Sequence, residues 1–261
     1  MQEIFPGTAA RLEEWKADPN VLGVLLVGSK SHEHGDELSD DDLEILLTDE
    51  AYARIAPKDV LDLLFEGEAP NKKLIYDGEY LSLSAVEKRV DSPHDLYRWP
   101  YQSTRILFDR DGRTSAAVKA VSEMSAEFRR LRLIHATIDA GVAGRRGQKT
   151  LKRGFEGAGR LVIARGAKAL SRIVFALEWR WVPLDHWLEA ELKTLEDPAQ
   201  IGPLIIEAVV ETRPELLLEG LKRLEDRLFE EGVPRPAGRA DLFYEVLHPS
   251  RAAERAIHGL Y

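Results

Sequence analysis

The chain has 261 residues, of which 44 % are hydrophobic and 31 % charged, a composition typical of a folded globular protein. It contains no cysteine, which excludes disulfides, thiolate-bound zinc, iron–sulfur clusters and thiol nucleophiles. No basic segment followed by an apolar stretch opens the chain, and no apolar run reaches the roughly 18 residues of a membrane helix. We therefore expect a cytoplasmic protein without a membrane partner.

Charge is distributed unevenly along the chain. The formal net charge is −9, and residues 1–114 hold 13 basic against 24 acidic residues. Residues 129–172, in contrast, hold 12 basic residues and only two acidic ones. An acidic protein is not expected to bind nucleic acid in general. The basic segment favours either attraction to the acidic part of the chain or contact with a polyphosphate.

The first part of the chain mixes strand and helix patterns. Five strands are predicted, at 21–27, 42–48, 73–76, 79–84 and 105–108. Two helices are predicted, at 8–17 and 56–66. The dipeptide Asp77-Gly78 predicts a tight hairpin turn between the third and fourth strands.

After Gly112 the hydrophobic period changes from two residues to about 3.6 residues, as in helices. Helices are predicted at 115–140, 158–181, 184–195, 199–211 and 214–230. The glycine-rich stretch 141–159 predicts a connection between two of them. The sequence therefore predicts an α+β fold with two domains, a mixed domain over 1–114 and a helical domain over 115–261.

One segment of the mixed domain carries residues suited to chemistry. The apolar run 21–27 ends in Gly28-Ser29, and Ser39-Asp40-Asp41-Asp42-Leu43-Glu44 opens the next strand. In a strand, Asp40, Asp42 and Glu44 lie on one face about 7 Å apart. Carboxylates at that spacing can share a hard cation such as Mg²⁺.

Gly28 and Ser29 suit the binding of an anion next to these carboxylates. Glycine lets the backbone approach a ligand closely, and amides at the start of a helix favour phosphate. The run of acidic residues repels itself unless a cation compensates it. A paired phosphate and metal site is therefore the most economical interpretation of the segment.

This segment resembles the signature of the nucleotidyltransferase superfamily that includes DNA polymerase beta. Gly28-Ser29, a nine-residue spacer and Ser39-Asp40-x-Asp42-Leu-Glu carry the resemblance, which is most similar to small bacterial members such as aminoglycoside nucleotidyltransferases. The resemblance implies a nucleotidyltransferase-type mixed β-sheet with flanking helices, followed by a helical substrate-binding bundle. It covers 21–48 firmly and extends loosely to Gly112.

The resemblance also implies roles for individual residues. Gly28, Ser29 and the nearby Lys30 would bind the phosphates of a nucleoside triphosphate, and Asp40 and Asp42 would hold two Mg²⁺ ions. Glu79 is the expected third carboxylate, which would bind metal or accept a proton. Further cations that could neutralise the triphosphate are Arg145, Arg146, Lys149, Lys152 and Arg153.

Two points depart from the family pattern. The middle residue of its Ser-Asp-x-Asp motif is usually apolar, and here it is Asp41. A second register, Asp42-Leu43-Glu44, therefore stays open beside the preferred pair Asp40 and Asp42. Alternatives to Glu79 as the third carboxylate are Asp77 and Glu87.

The expected function is magnesium-dependent transfer of a nucleoside monophosphate from a triphosphate to a hydroxyl of a small-molecule acceptor, with release of pyrophosphate. The acidic surface would attract a cationic acceptor such as an aminoglycoside. The first alternative is a non-catalytic protein of the same fold that binds a nucleotide or a partner. The second is a nucleotidyltransferase that acts on RNA or on a protein.

Overall fold

A computed structural model of the chain describes residues 3–252 and 255, apart from the side chain of Glu245. The strands are β1 (Val21–Val27), β2 (Asp41–Leu47), β3 (Leu61–Glu66), β4 (Lys73–Ser82) and β5 (Arg105–Asp109). The helices are α1 (Pro6–Ala17), α2 (Gly28–Ser31), α3 (Asp49–Tyr52), α4 (Leu83–Glu87), α5 (Arg113–Ser122), α6 (Ala126–Lys152), α7 (Glu156–Leu177), α8 (Leu188–Leu192), α9 (Ile201–Val210), α10 (Glu215–Arg223), α11 (Glu225–Glu230) and α12 (Arg239–Leu247). Within this part of the chain, no helix has the length and apolar character needed to cross a bilayer.

The five strands form one mixed sheet in the order β3-β4-β2-β1-β5. β1 is antiparallel to both β2 and β5, whereas β2 and β4 run parallel. β1 therefore lies inside the sheet, which explains why 21–27 is apolar on both of its faces. The predicted α+β fold is confirmed.

Apolar side chains cover both faces of the sheet. A cluster that includes α1 comprises Leu12, Trp15, Val24, Leu43 and Ile45. A second cluster, on the opposite face, joins the sheet to α4 and α5 and comprises Leu25, Leu46, Leu81, Val86 and Val121. The alternation of Leu43, Ile45 and Leu46 along β2 assigns these clusters to opposite faces.

Two predictions for the first half of the chain are wrong. The predicted helix at 56–66 is a single 3₁₀ turn followed by the edge strand β3. The spacing of Leu61, Leu64 and Phe65 fits a helix as well as a strand, so periodicity alone does not separate the two. The predicted hairpin at Asp77-Gly78 is absent, because β4 runs unbroken through both residues and pairs with β2 along its length.

Contacts divide the chain into two compact units. The first comprises 1–92 and 96–123, and the second comprises 93–95 and 124–261. The sequence predicts a boundary after residue 114, whereas the contacts assign α5 to the first unit. The reason is visible at Thr114, which is fully buried and donates a hydrogen bond to the carbonyl of Leu22 in β1.

The predicted helix at 115–140 is two helices, α5 and α6. Ser125 caps α6 by accepting a hydrogen bond from the amide of Phe128. Within the first unit, the guanidinium of Arg98 donates to the carbonyls of Val121 and Glu123 at the end of α5. These polar contacts satisfy the helix ends on both sides of the break.

In the second unit, α6 and α7 form a long helical pair, on which α9 and α10 pack. The predicted connection at 141–159 is wrong, because α6 continues to Lys152 and the turn spans only 153–155. Glycines in this stretch allow close packing: a Cβ at Gly144 of α6 would lie 2.8 Å from Cδ2 of Leu218 in α10. Gly144 and Gly147 therefore lie where other residues pack closely on α6, whereas Gly154 lies in the turn.

Asp95 is the shared partner of two arginines within the second unit. Its carboxylate forms ion pairs with Arg132, which is 1 % exposed, and with Arg172 at 3.4 Å. These guanidinium groups outweigh burial and hold the pKa of Asp95 below its ordinary value. These ion pairs connect the short segment 93–95 to helices α6 and α7.

Candidate active site

The end of β1 and the start of β2 meet at the Gly-Ser corner. Val27 pairs with Asp42 across the two strands, so Gly28 follows directly beside the Asp42 carboxylate. Gly28 has φ +68°, and a Cβ there would fall 1.9 Å from Oδ2 of Asp42. Only glycine fits this position, because any side chain would collide with the carboxylate.

The neighbouring strand adds a second carboxylate in register. Asp42 pairs with Asp77 across the parallel strands β2 and β4, and Asp40 precedes β2 on the same side. We call Asp40, Asp42 and Asp77 the aspartate cluster. It contains Asp40 and Asp42, the two predicted metal ligands, and Asp77, one of the two alternatives to Glu79 as third carboxylate.

Burial and mutual repulsion both disfavour the charged forms of Asp42 and Asp77 in the aspartate cluster. Burial, followed by the charges of Asp77 and Asp40, raises the pKa of Asp42 to about 7, against an opposing hydrogen bond from the amide of Ser29. Burial and Asp40 likewise raise the pKa of Asp77. Among the residues that the structure describes, no basic side chain forms an ion pair with any of the three. The cluster is therefore suited to an external cation.

The aspartate cluster fits a metal ion through its residue types. Carboxylate oxygens are the ligands that Mg²⁺ prefers, and Gly28 leaves the Asp42 carboxylate uncovered by a Cβ. Over the described residues, however, no group of three or more His, Cys, Asp or Glu side chains is arranged so that it could hold a metal ion. The residue types and the raised pKa values fit a divalent cation, with the remaining ligands coming from water or phosphate.

Asp41 points away from the cluster, into the opposite face of β2. It is fully buried, and it accepts hydrogen bonds from the amide of Phe5, the hydroxyl of Thr8 and Nζ of Lys30, the last at 2.6 Å. The departure from the family pattern at this position is thus a buried ion pair. Strand alternation explains why three consecutive aspartates do not form one site.

In this arrangement Lys30 contacts Asp41 and Phe5. Its side chain is 6 % exposed and its Nζ lies 3.6 Å from the centre of the Phe5 ring as well as on Asp41. Ser29, also buried, keeps its place beside the aspartate cluster through its amide. Of the three predicted phosphate-binding residues, Gly28 and Ser29 lie at the corner and Lys30 is held by Asp41.

A second pair of carboxylates lies one step further along the same face. Glu44 pairs in register with Glu79, and it accepts hydrogen bonds from the Tyr101 hydroxyl and from Arg89, the latter at 2.9 Å. Burial and Glu44 raise the pKa of Glu79, whereas Arg89 opposes that shift. The Glu44 of the alternative register is therefore already neutralised by Arg89.

The three candidates for third carboxylate differ in their position relative to Asp42. Asp77 lies opposite Asp42, Glu79 lies opposite Glu44, and Glu87 is exposed at the end of α4. The sequence favours Glu79 because Asp77-Gly78 has the composition of a turn. The signal that favours Asp77 is the parallel register of β4 on β2, which a single sequence does not reveal.

Comparison with known proteins gives a distant structural likeness. No protein-family model and no curated protein matches the chain. Among solved structures, the chain is similar to a nucleotidyltransferase-like protein from Exiguobacterium sibiricum 255-15, with 14 % identity and a TM-score of 0.47. The match covers 96 % of this chain and 86 % of that one. Function has to be argued from the side chains of the site itself.

Proposed function

We propose that the protein is a magnesium-dependent nucleotidyltransferase that transfers a nucleoside monophosphate from a nucleoside triphosphate to a hydroxyl of a small-molecule acceptor. The observation that carries the proposal is the contact of Gly28 with Asp42 beside Asp77 and Asp40. At this corner a ligand can approach the backbone closely, next to carboxylates that have no basic partner among the described residues. Such an environment suits a metal–triphosphate complex.

Each residue of the site has a role in the proposal. Asp40, Asp42 and Asp77 would hold Mg²⁺, which when bound neutralises the phosphates. Gly28 gives the phosphates access to the corner, and the Ser29 amide orients the Asp42 carboxylate. We prefer Asp77 to Glu79 as the third carboxylate because Asp77 lies beside Asp42 in the sheet.

The reaction balances as a single displacement at phosphorus. The acceptor oxygen forms a bond to the α-phosphorus, and the bond from that phosphorus to the bridging oxygen of pyrophosphate breaks. The proton of the acceptor hydroxyl passes to a carboxylate of the aspartate cluster.

The acceptor proposed is a small, cationic molecule with hydroxyl groups. Residues 1–114 carry an excess of eleven acidic over basic residues, which attracts such a molecule over long range. RNA is a less suitable acceptor because its phosphates are repelled by the same charge. Peptides are included in the test below as acceptors of the protein type.

The proposal is tested by measuring release of pyrophosphate with each of the four common nucleoside triphosphates, Mg²⁺ and a panel of amino sugars, RNA oligonucleotides and peptides. We expect Asp42→Asn to fold and to lower the rate about 100-fold or more, because a ligand of the cation is lost. Asp59→Asn is the matched control, since Asp59 is exposed in a 3₁₀ turn of the same unit.

Three outcomes would contradict the proposal. Full activity of Asp42→Asn would move the site elsewhere, and activity without divalent cations would remove the metal. Triphosphate binding without turnover across the whole panel would favour a non-catalytic nucleotide-binding protein, the alternative function.

A further inference from the structure

A cavity lies within the second unit, formed by α6, α10, α12 and the turn that precedes α12. It has a volume of about 480 Å³, within the range of small-molecule sites. Its lining residues on α6 recur about every four positions, at Thr137, Gly141, Arg145 and Lys149, so they share one stripe of the helix.

The cavity is strongly basic. Arg145, Arg146, Lys149 and Arg239 line it, and no acidic residue does so among the lining residues that the structure describes. Arg146 acts electrostatically on Asp139, and Arg239 on Glu225. Arg145 and Lys149 are exposed and form no ion pair with a described residue. Four cations that converge on one cavity repel one another unless an anion lies between them.

Two polar groups of the cavity residues lack partners. The Thr137 hydroxyl is buried, with the residue 2 % exposed, and it has no hydrogen-bond partner among the described residues. Nη2 of Arg239 is also buried without one, although its Nε donates to the carbonyl of Pro234 at 2.8 Å. A buried polar group without a partner destabilises the protein, so a ligand that supplies the missing hydrogen bond is favoured.

The remaining lining is apolar or aromatic. Leu221 of α10 and Phe243 of α12 line the cavity opposite the basic stripe of α6. A bound molecule would therefore place an anionic group on the arginines and a ring or chain on the apolar side. Arginine binds phosphate through two parallel N–H donors, which favours a phosphate group over a single charge of another kind.

We propose that this cavity binds a small organic phosphate, a phosphate monoester that also carries a ring. The phosphate contacts Arg145, Lys149 and Arg239, and the ring packs on Phe243 and Leu221. RNA is a less suitable ligand, because single-stranded nucleic acid is bound along an extended basic groove with several aromatic platforms. This site is independent of the transfer chemistry proposed for the aspartate cluster.

The experiment is isothermal titration of the full chain at low salt and without Mg²⁺, with AMP, adenosine, inorganic phosphate and a short single-stranded RNA as probes. We expect AMP to bind more tightly than either of its parts. The double variant Arg145→Gln/Lys149→Gln should weaken AMP binding about tenfold or more. Lys152→Gln/Arg153→Gln is the matched control, since both residues are exposed at the end of α6 outside the cavity.

A further variant separates the ring from the phosphate. Phe243→Ala should weaken the binding of AMP and leave that of inorganic phosphate unchanged. Asp42→Asn should bind AMP like the wild type, so the loss of transfer activity and the loss of this site can be told apart.

The proposal is overturned if AMP does not bind at about 1 mM, if the cavity and control variants lose binding equally, or if only RNA binds. A loss of AMP binding in Asp42→Asn would also overturn it, because the titration would then report on the aspartate cluster.

Discussion

At the scale of single residues, the surroundings of Asp42 disfavour the charged form of its carboxyl group. Burial, followed by the charges of Asp77 and Asp40, raises the pKa of its carboxylate to about 7, although the carboxylate accepts a hydrogen bond from the Ser29 amide. Because the folded-state pKa exceeds the ordinary value near 4, the folded protein loses stability as the pH rises from about 4 through 7. Ionised Asp42 therefore destabilises the folded protein unless a bound cation compensates its charge.

Asp42→Asn should therefore stabilise the protein when Mg²⁺ is absent. At pH 8 we expect its free energy of unfolding to exceed that of the wild type by about 1 kcal/mol or more, since each pKa unit corresponds to about 1.4 kcal/mol. The gain should vanish at pH 4, where the wild-type carboxyl is protonated. Urea unfolding at both pH values measures it, and a variant that is less stable at pH 8 would contradict it.

Gly28 offers a second test at this scale. Alanine at a positive φ costs about 1–2 kcal/mol, and the collision with Asp42 adds a separate cost. Gly112→Ala is the matched control, because Gly112 has φ +87° and open space where a Cβ would lie. We expect Gly28→Ala to lose the larger unfolding free energy by about 1 kcal/mol or more. Equal losses in thermal or urea unfolding would show that the carboxylate is not against the glycine.

At the scale of elements, the site depends on the parallel pairing of β2 with β4. This pairing places Asp77 opposite Asp42 and Glu79 opposite Glu44. Arg89 and Tyr101 then bind Glu44, which leaves the first pair without a basic partner among the described residues. Two rows of acids on one face thus receive different electrostatic environments.

The two rows give opposite expectations for activity. Asp77→Asn should lower the rate of pyrophosphate release about 100-fold, as loss of a cation ligand does, whereas Glu79→Gln should retain most of it. Each variant is the control of the other, because the residues lie two positions apart on one strand. The reverse result would assign the third carboxylate to Glu79.

The sequence supports some elements better than others. Strand β1 and the Gly28-Ser29 corner follow from an uninterrupted apolar run and a glycine, both local signals. The sequence places Asp77 behind Glu79 as third carboxylate because Asp-Gly is usually a turn, and only pairing with a distant strand keeps Asp77 extended. Helical glycines such as Gly144 mislead for a similar reason, since Gly144 allows close contact with another helix.

At the scale of the whole molecule, Asp95 links a short early segment to the helical unit. Its pKa is lowered by Arg132 and Arg172, so its stabilising effect is complete above the ordinary value near 4 and is lost as the pH falls below it. Acid should therefore destabilise the helical unit through this carboxyl.

Asp95→Asn should destabilise that unit by about 3 kcal/mol at pH 7, because Arg132 would be left buried without a counter-charge. The difference should shrink below pH 4. Asp185→Asn is the control: this exposed carboxylate also forms an ion pair, with Lys168, and its loss should cost less than about 1 kcal/mol. Hydrogen exchange of amides in α6 and α7 measures both, and similar effects of the two variants would contradict the expectation.

The division of the chain also restricts how the protein can be dissected. Residues 93–95 belong to the second unit although the residues on both sides of them belong to the first, so the backbone passes between the units three times. A fragment that starts at residue 124 would lack the carboxylate that neutralises Arg132. No single cut yields two self-sufficient halves, and any evolutionary exchange of the helical part for another would have to carry this tripeptide along.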